Sequence, residues 1–296
     1  MRERETHVQP ELLTKLDTIG LTHPEYISVC YALVSRDLLL LNVLNRKAQE
    51  RLQEDVEGIT NPTTQDEFSD GKGVYTPERE LFHQEIIEDL LSPLASPETP
   101  KFYILAGPPG AGKTTAIPEF IDSATTVVTD PTLIQKKLVS DFDESDYAKV
   151  LATKDEAFDI AEKLIDKAFE KRLSITSEST LQNLPWATRS LKNSEKFDYR
   201  TEIIFIHKPL EQCFVDAIEK RKRPISLNYL FKSVQGYENL IYFDEFPDVT
   251  VTVVEKTSNH KQTIIYRTDR GELKDNARFL EIKNHVDSLK NLRQAE

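Results

Sequence analysis

One loop constrains this chain more than any other feature. Gly107, Pro108, Pro109, Gly110, Ala111, Gly112, Lys113 and Thr114 complete the pattern G-x-x-x-x-G-K-[ST], and Thr115 follows. The pattern works only between a strand and a helix, because the glycines must bend the backbone so that its N–H groups converge on phosphate oxygens. Both flanks comply. Phe102–Ala106 is an apolar, strand-like run, and Thr115–Ile117 opens a helix-compatible stretch. A helix N-terminus there adds positive partial charge. In this setting Lys113 reaches the β- and γ-phosphates of a nucleoside triphosphate, and the Thr114 hydroxyl ligands Mg²⁺. Pro118 falls within the first two turns, and its missing N–H predicts a kink or a first turn that starts late.

From Lys101 onward strands and helices alternate. Strand-like runs occupy 102–106, 125–129, 173–177, 201–206, 249–254 and 263–267, with amphipathic stretches between them, notably 155–171 and 210–221. This alternation predicts an α/β fold, a mostly parallel sheet flanked by helices. The last two strands surround Thr257-Ser258-Asn259-His260 and predict an antiparallel hairpin. Upstream, residues 1–57 read as helical, with Leu12, Leu13, Leu16 and Ile19 and then Leu33, Leu40, Leu41, Leu44 and Ala48 at helical spacing. Gly20 and Pro24 separate two helices. The Leu38–Leu41 run is too short for a membrane and is expected to bury against a neighbouring helix or the main domain. Residues 58–75 read as a linker or surface loop, rich in Gly, Asp and Thr. Thr76, Pro77 and Glu78 then open a helix as cap, first residue and dipole partner. The expected organisation is a helical extension and linker over 1–75 and a catalytic domain over 76–296.

Composition narrows the function classes. A net charge of −12 in 296 residues argues against broad nucleic-acid binding. Cys30 and Cys213 have no metal spacing and read as reduced thiols of a cytoplasmic protein. No apolar run approaches the length of a membrane span, and no secretory signal is visible at the N-terminus.

The phosphate loop alone does not separate an ATPase, a GTPase and a small-molecule kinase. No guanine-specific Asn-Lys-x-Asp occurs. Leu240–Glu245 resembles an apolar strand ending in Asp-Glu, which an ATPase would use. It lies far from the loop, and Pro247 follows at once, so a helix end turning into a loop is the expected structure. Kinase chemistry has better candidates. Asp130 follows the strand-like run after the loop, at the sheet edge where ligands bind, and can deprotonate a hydroxyl. It can also cap a helix starting at Pro131. Glu178, Ser179 and Thr180 reach the same edge and can hold an acceptor or serve as caps. Lys220–Arg223 is a dense positive cluster in an acidic chain, suited to a lid over the phosphates or to a solvated face.

Together these residues resemble the zeta toxin family of small-molecule kinases over roughly 76–267. The matching positions are Thr76-Pro77-Glu78-Arg79 with His83, the phosphate loop, Asp130, Ser177-Glu178-Ser179-Thr180, and the basic segment with Arg221 and Arg223. The resemblance implies a kinase using ATP and Mg²⁺. It implies Asp130 as catalytic base, Glu178 and Thr180 as substrate contacts, and Arg221 and Arg223 as phosphate contacts alongside Lys113. It also implies an acceptor such as the sugar 3′-hydroxyl of UDP-N-acetylglucosamine, or another nucleotide metabolite such as NAD. Ser179 stands where the family usually has glycine, Gln182 where it often has arginine, and the two lid arginines are closer in sequence. An antitoxin or other protein partner at the N-terminal helices is a further expectation. The rival readings are a kinase of NAD or RNA, and a regulatory ATPase or interaction module.

Overall fold

The computed structural model describes residues 10–56, 63–70, 73–143, 147–220, 225–257 and 262–289. Three helices form the N-terminal extension: α1 (Pro10–Asp17), α2 (His23–Ser35) and α3 (Leu38–Val56). Thr22 and Glu25 cap α2 reciprocally, which satisfies N–H groups that the first turn leaves unpaired. The break at Gly20–Pro24 was legible. The one between α2 and α3 was not, because it is made by Arg36 in a left-handed conformation at φ 59°, a geometry more common for glycine or asparagine. Val29, Ala32 and Leu33 of α2 are buried with Leu41, Leu44 and Ala48 of α3. Within the leucine run, Leu41 is fully buried, whereas Leu39 is 76% exposed.

The segment expected to be a linker is partly built structure. Residues 57–62 and 71–72 lie outside the described residues. Between them, Thr63 and Asp66 cap the short helix α4 (Thr64–Phe68), and Ser69 bridges to Tyr75. Gln65 and Tyr75 both donate to Asp159, at 2.8 and 2.6 Å. Capping and cross-chain hydrogen bonds thus order a stretch whose composition reads as loop. Thr76 then caps α5 (Pro77–Leu91), with Pro77 in the first turn.

The sheet has the order β2-β3-β1-β4-β5-β6. Its strands are β1 (Lys101–Ala106), β2 (Thr126–Val128), β3 (Ser174–Ser179), β4 (Arg200–His207), β5 (Val249–Lys256) and β6 (Gln262–Arg267). The first five are parallel, and β6 closes the edge as an antiparallel hairpin with β5. In β1 all residues after Lys101 are buried, as expected when helices cover both faces of a parallel sheet. The helices are α6 (Ile117–Phe120), α7 (Pro131–Leu138), α8 (Tyr147–Glu170), α9 (Leu184–Lys196), α10 (Leu210–Val215), α11 (Leu227–Ser233), α12 (Gln235–Asp244) and α13 (Ala277–Asp287). A π turn at 216–220 continues α10. The extension docks here: α1 and α2 pack on α10 and its π turn, and α3 packs on α11. Tyr26 donates to Glu219 at 2.6 Å, so the extension is bonded to the segment that leads into the basic cluster.

Candidate active site

Parallel strands place their C-terminal ends at one edge, where the loop follows β1, Asp130 follows β2, and Glu178 lies at the end of β3. The loop glycines meet the conformational demand of the bend. Gly107, Gly110 and Gly112 have φ of 135°, 86° and 85°, values that favour glycine. A Cβ at Gly107 would lie 2.3 Å from the Ile206 carbonyl oxygen of β4, and one at Gly110 would lie 2.4 Å from that of Cys213. The loop is therefore pressed onto β4 and α10 with no room for side chains.

Lys113 donates to the carbonyls of Gly107 and Pro108, at 3.1 and 3.3 Å. Its ammonium thus lies folded across the loop's own concavity. The Thr114 hydroxyl donates to Glu178 Oε1 at 2.7 Å. This contact joins residues 64 positions apart. It sets Glu178, expected as an acceptor contact, beside the hydroxyl that suits Mg²⁺. Mg²⁺ commonly takes one or two protein oxygens and completes its shell with phosphates and water, and Thr114 with Glu178 fits that donor set.

Thr180 is 8% exposed, in a turn clamped by α12. Gly236 approaches so closely that a Cβ would lie 2.2 Å from the Thr180 carbonyl oxygen, and Asn239 donates to the Leu181 carbonyl at 2.7 Å. Leu181 itself sits at φ 57°. Asp130 accepts from Thr132 N at 2.9 Å and caps α7. Capping uses Oδ1 alone, so the role does not conflict with proton acceptance by the carboxylate. Arg221 and Arg223 lie outside the described residues.

Pro118 predicts a kink or a late first turn after the loop, and the structure agrees. The chain after the loop does not form a regular long helix. It makes a 3₁₀ turn over Thr114–Ala116 and the four-residue α6, which contains Pro118. Lys256, the last residue of β5, donates to Thr115 Oγ1 at 2.6 Å. Behind the loop, Lys208 and Asp216 form a buried ion pair, and Gln212 donates to the other Asp216 oxygen at 2.9 Å. Neither the Lys256 contact nor the Lys208–Asp216 pair has a local pattern, so neither was legible from the sequence.

The strand-like Leu240–Glu245 run is a helix end, as expected. Asp244 accepts from Tyr266 OH at 2.6 Å and from Leu273 N at 2.8 Å. A cavity of 340 Å³ lined by Ile241, Asp244, Glu245, Glu272 and Lys274 opens beside it. It lies where α12 turns into the start of β5, the sheet edge opposite the phosphate loop.

A family model, Zeta toxin, matches residues 86–285. The chain belongs to the zeta toxin family. It has the kinase-like phosphate-loop fold of that toxin family, and solved structures share the fold. AvrRxo1-ORF1 in complex with AvrRxo1-ORF2 and sulphate ions superposes with a TM-score of 0.61 at 14% identity, covering 77% of this chain and 83% of that one. A structure of the same pair with ATP gives the same values. The PezAT chromosomal toxin–antitoxin system of Streptococcus pneumoniae gives a TM-score of 0.54 at 16% identity, covering 74% of this chain and 98% of that one. No curated protein matches this zeta toxin family member by sequence. Among the described residues no helix is long and apolar enough to cross a membrane.

Proposed function

We propose that this chain transfers the γ-phosphate of ATP to a hydroxyl of a small nucleotide metabolite, with the sugar of UDP-N-acetylglucosamine as the first candidate acceptor. The observation that carries the reading is the shared edge. Lys113, the Thr114–Glu178 pair and Asp130 gather at the C-terminal ends of three neighbouring parallel strands.

In this reading ATP lies on 107–114, with Thr115 closing the cradle. Lys113 leaves the Gly107 and Pro108 carbonyls for the β- and γ-phosphates. Bound Mg²⁺ would neutralise phosphate charge and would be held by Thr114, with Glu178 beside it. The Asp130 carboxylate accepts the proton of the acceptor hydroxyl as its oxygen attacks the γ-phosphorus, and ADP leaves. Thr180, fixed by α12, shapes the acceptor side. Arg221 and Arg223 supply positive charge to the transferring phosphoryl group. The catalytic domain spans 76–296, and residues 1–75 form its extension. An antitoxin-type protein partner belongs on that extension, supported by the exposed apolar row Ile27, Tyr31 and Val34 along α2. The PezAT neighbour, named as a toxin–antitoxin system, supports the same reading. The protein acts in the cytoplasm of the cell that makes it or of one that receives it.

The test is a screen of γ-labelled ATP against UDP-sugars, NAD, nucleosides and RNA, with mass spectrometry of any product. Asp130→Asn is expected to abolish transfer and leave ATP binding intact. Label on NAD or RNA keeps the mechanism and changes the acceptor. Release of free phosphate only, equal in Asp130→Asn, refutes the kinase reading.

A further inference from the structure

A phosphate loop ordinarily draws part of its positive field from the helix that follows it. Aligned peptide dipoles sum to roughly half a charge at the N-terminus. Here that source is curtailed, because a 3₁₀ turn and a four-residue helix replace a long one. A full charge stands at the same place. Lys256 is 6% exposed, and its ammonium donates to Thr115 Oγ1 at 2.6 Å and to the Gly112 carbonyl at 3.5 Å. Thr115 Oγ1 donates in turn to the Gly112 carbonyl at 2.8 Å. A Cβ on Gly112 would lie 2.8 Å from Lys256 Nζ, so the lysine lies directly against the loop backbone.

The two lysines therefore bracket the loop. Lys113 reaches back to its entry, at Gly107 and Pro108, and Lys256 meets its exit, at Gly112 and Thr115. Burying a side chain as strongly hydrated as lysine is costly unless an acceptor compensates. The loop's N–H groups cradle the α- and β-phosphates beside that exit. The hairpin carrying Lys256 is held in place independently, because Gln262 of β6 donates to Glu119 of α6 at 2.6 Å.

We propose that Lys256 is a second cation of the phosphate site, contacting the α- and β-phosphates of the bound nucleotide and replacing the field of the shortened helix. This rests on the ATP-binding reading above. Because both phosphates are retained in ADP, Lys256 serves ATP and ADP alike.

The experiment is equilibrium titration of the full chain with ATP and with ADP, for wild type, Lys256→Gln and Lys256→Arg. Glutamine keeps a donor toward Thr115 and removes the charge. Arginine keeps the charge and changes the donor geometry. The expected result is a loss of about tenfold or more for both nucleotides in Lys256→Gln. Lys256→Arg is expected to stay within about threefold of wild type, since it retains the charge. Affinities unchanged in both variants would mean that the lysine only ties the hairpin to the loop. Equal losses in both would mean that its role is structural, and either result overturns the proposal. Wild-type protein that binds neither nucleotide sinks the ATP reading along with it.

Discussion

Glu156→Gln tests what the Arg79 and His83 positions do. Glu156 sits on α8 with its side chain fully buried. Arg79 of α5 grips it with two hydrogen bonds of 2.6 and 2.9 Å, and His83 Nε2 lies 2.7 Å from it. Lys163 lies 3.2 Å from His83 Nδ1. Lysine can only donate there, so Nδ1 accepts and the neutral ring's Nε2–H points at Glu156. Burial alone would raise the Glu156 carboxyl, but the bonds from His83 and Arg79 outweigh it and hold it at about 2 instead of 4.5. That difference is worth roughly 3 kcal/mol, in line with the roughly 3–5 kcal/mol lost when one partner of a buried pair is removed. At roughly 2–4 °C per kcal/mol, melting at pH 7 should fall by at least about 6 °C. The acid side carries a second signature. A depressed carboxyl contributes stability that is complete above its unfolded pKa, near 4.5, and disappears as pH falls toward 2. Wild type should therefore lose stability steeply across that window, and Glu156→Gln should lose less. Scanning calorimetry from pH 7 to 2.5 reads both. Phosphotransfer per folded molecule at low temperature should change by less than about twofold, because the network joins α5 to α8 away from the phosphate loop. A melting shift under about 2 °C with an unchanged acid slope would refute the argument. A catalytic collapse in a fully folded variant would give these positions a functional role instead.

Asp130→Asn and Asp130→Ala should both lose transfer by about a hundredfold or more. Only the alanine variant should also lose stability, by about 1 kcal/mol, because asparagine can keep the cap on α7 and alanine cannot; equal melting of the two would show that the cap contributes nothing. Gly236→Ala should destabilise the chain by about 1–3 kcal/mol and lower transfer, since its Cβ would meet the Thr180 carbonyl oxygen at 2.2 Å; a variant as stable and active as wild type would show that the Thr180 turn moves without cost. Burial pushes the Cys213 thiol to about 12 and the Cys30 thiol to about 11, so neither should react rapidly with a thiol reagent in native protein at pH 8; rapid native labelling of either, at the rate seen after denaturation, would contradict this.

The parallel sheet was legible because its strands are short runs rich in β-branched and aromatic residues, such as Phe102–Ala106 and Val249–Val254, with helical stretches between them. All six runs correspond to strands, with ends shifted by up to one residue at the N-terminal side and up to two at the C-terminal side. The loop was legible because its chemistry is local: three glycines, one lysine and one threonine within eight positions. Caps were legible for the same reason, and Thr76 with Pro77 opens α5 where their chemistry requires. Local rules failed wherever a distant residue decides. Arg36 takes a glycine-like backbone, so the helical periodicity of Leu33 and Leu40 runs across a break without changing. Residues 63–70 and 73–75 have the composition of a loop, yet Thr64, Gln65 and Tyr75 are tied to Asp159 and Glu156, roughly 80 to 90 positions away.

The phosphate site divides along the same line. Its motif positions lie within one loop, but the groups that set its electrostatics arrive from elsewhere in the sheet. Glu178 comes from β3 and Lys256 from β5, across 64 and 141 positions. Neither is marked by periodicity or spacing, because each needs only to be the right residue at the C-terminal end of a parallel strand. The shortened helix makes this more than a detail of placement. With Pro118 in its first turns, the segment after the loop offers few aligned dipoles, and the positive charge must come from side chains. On the proposal made for Lys256, a loop match reports where phosphate sits, whereas the strand ends beside it determine how strongly it is held.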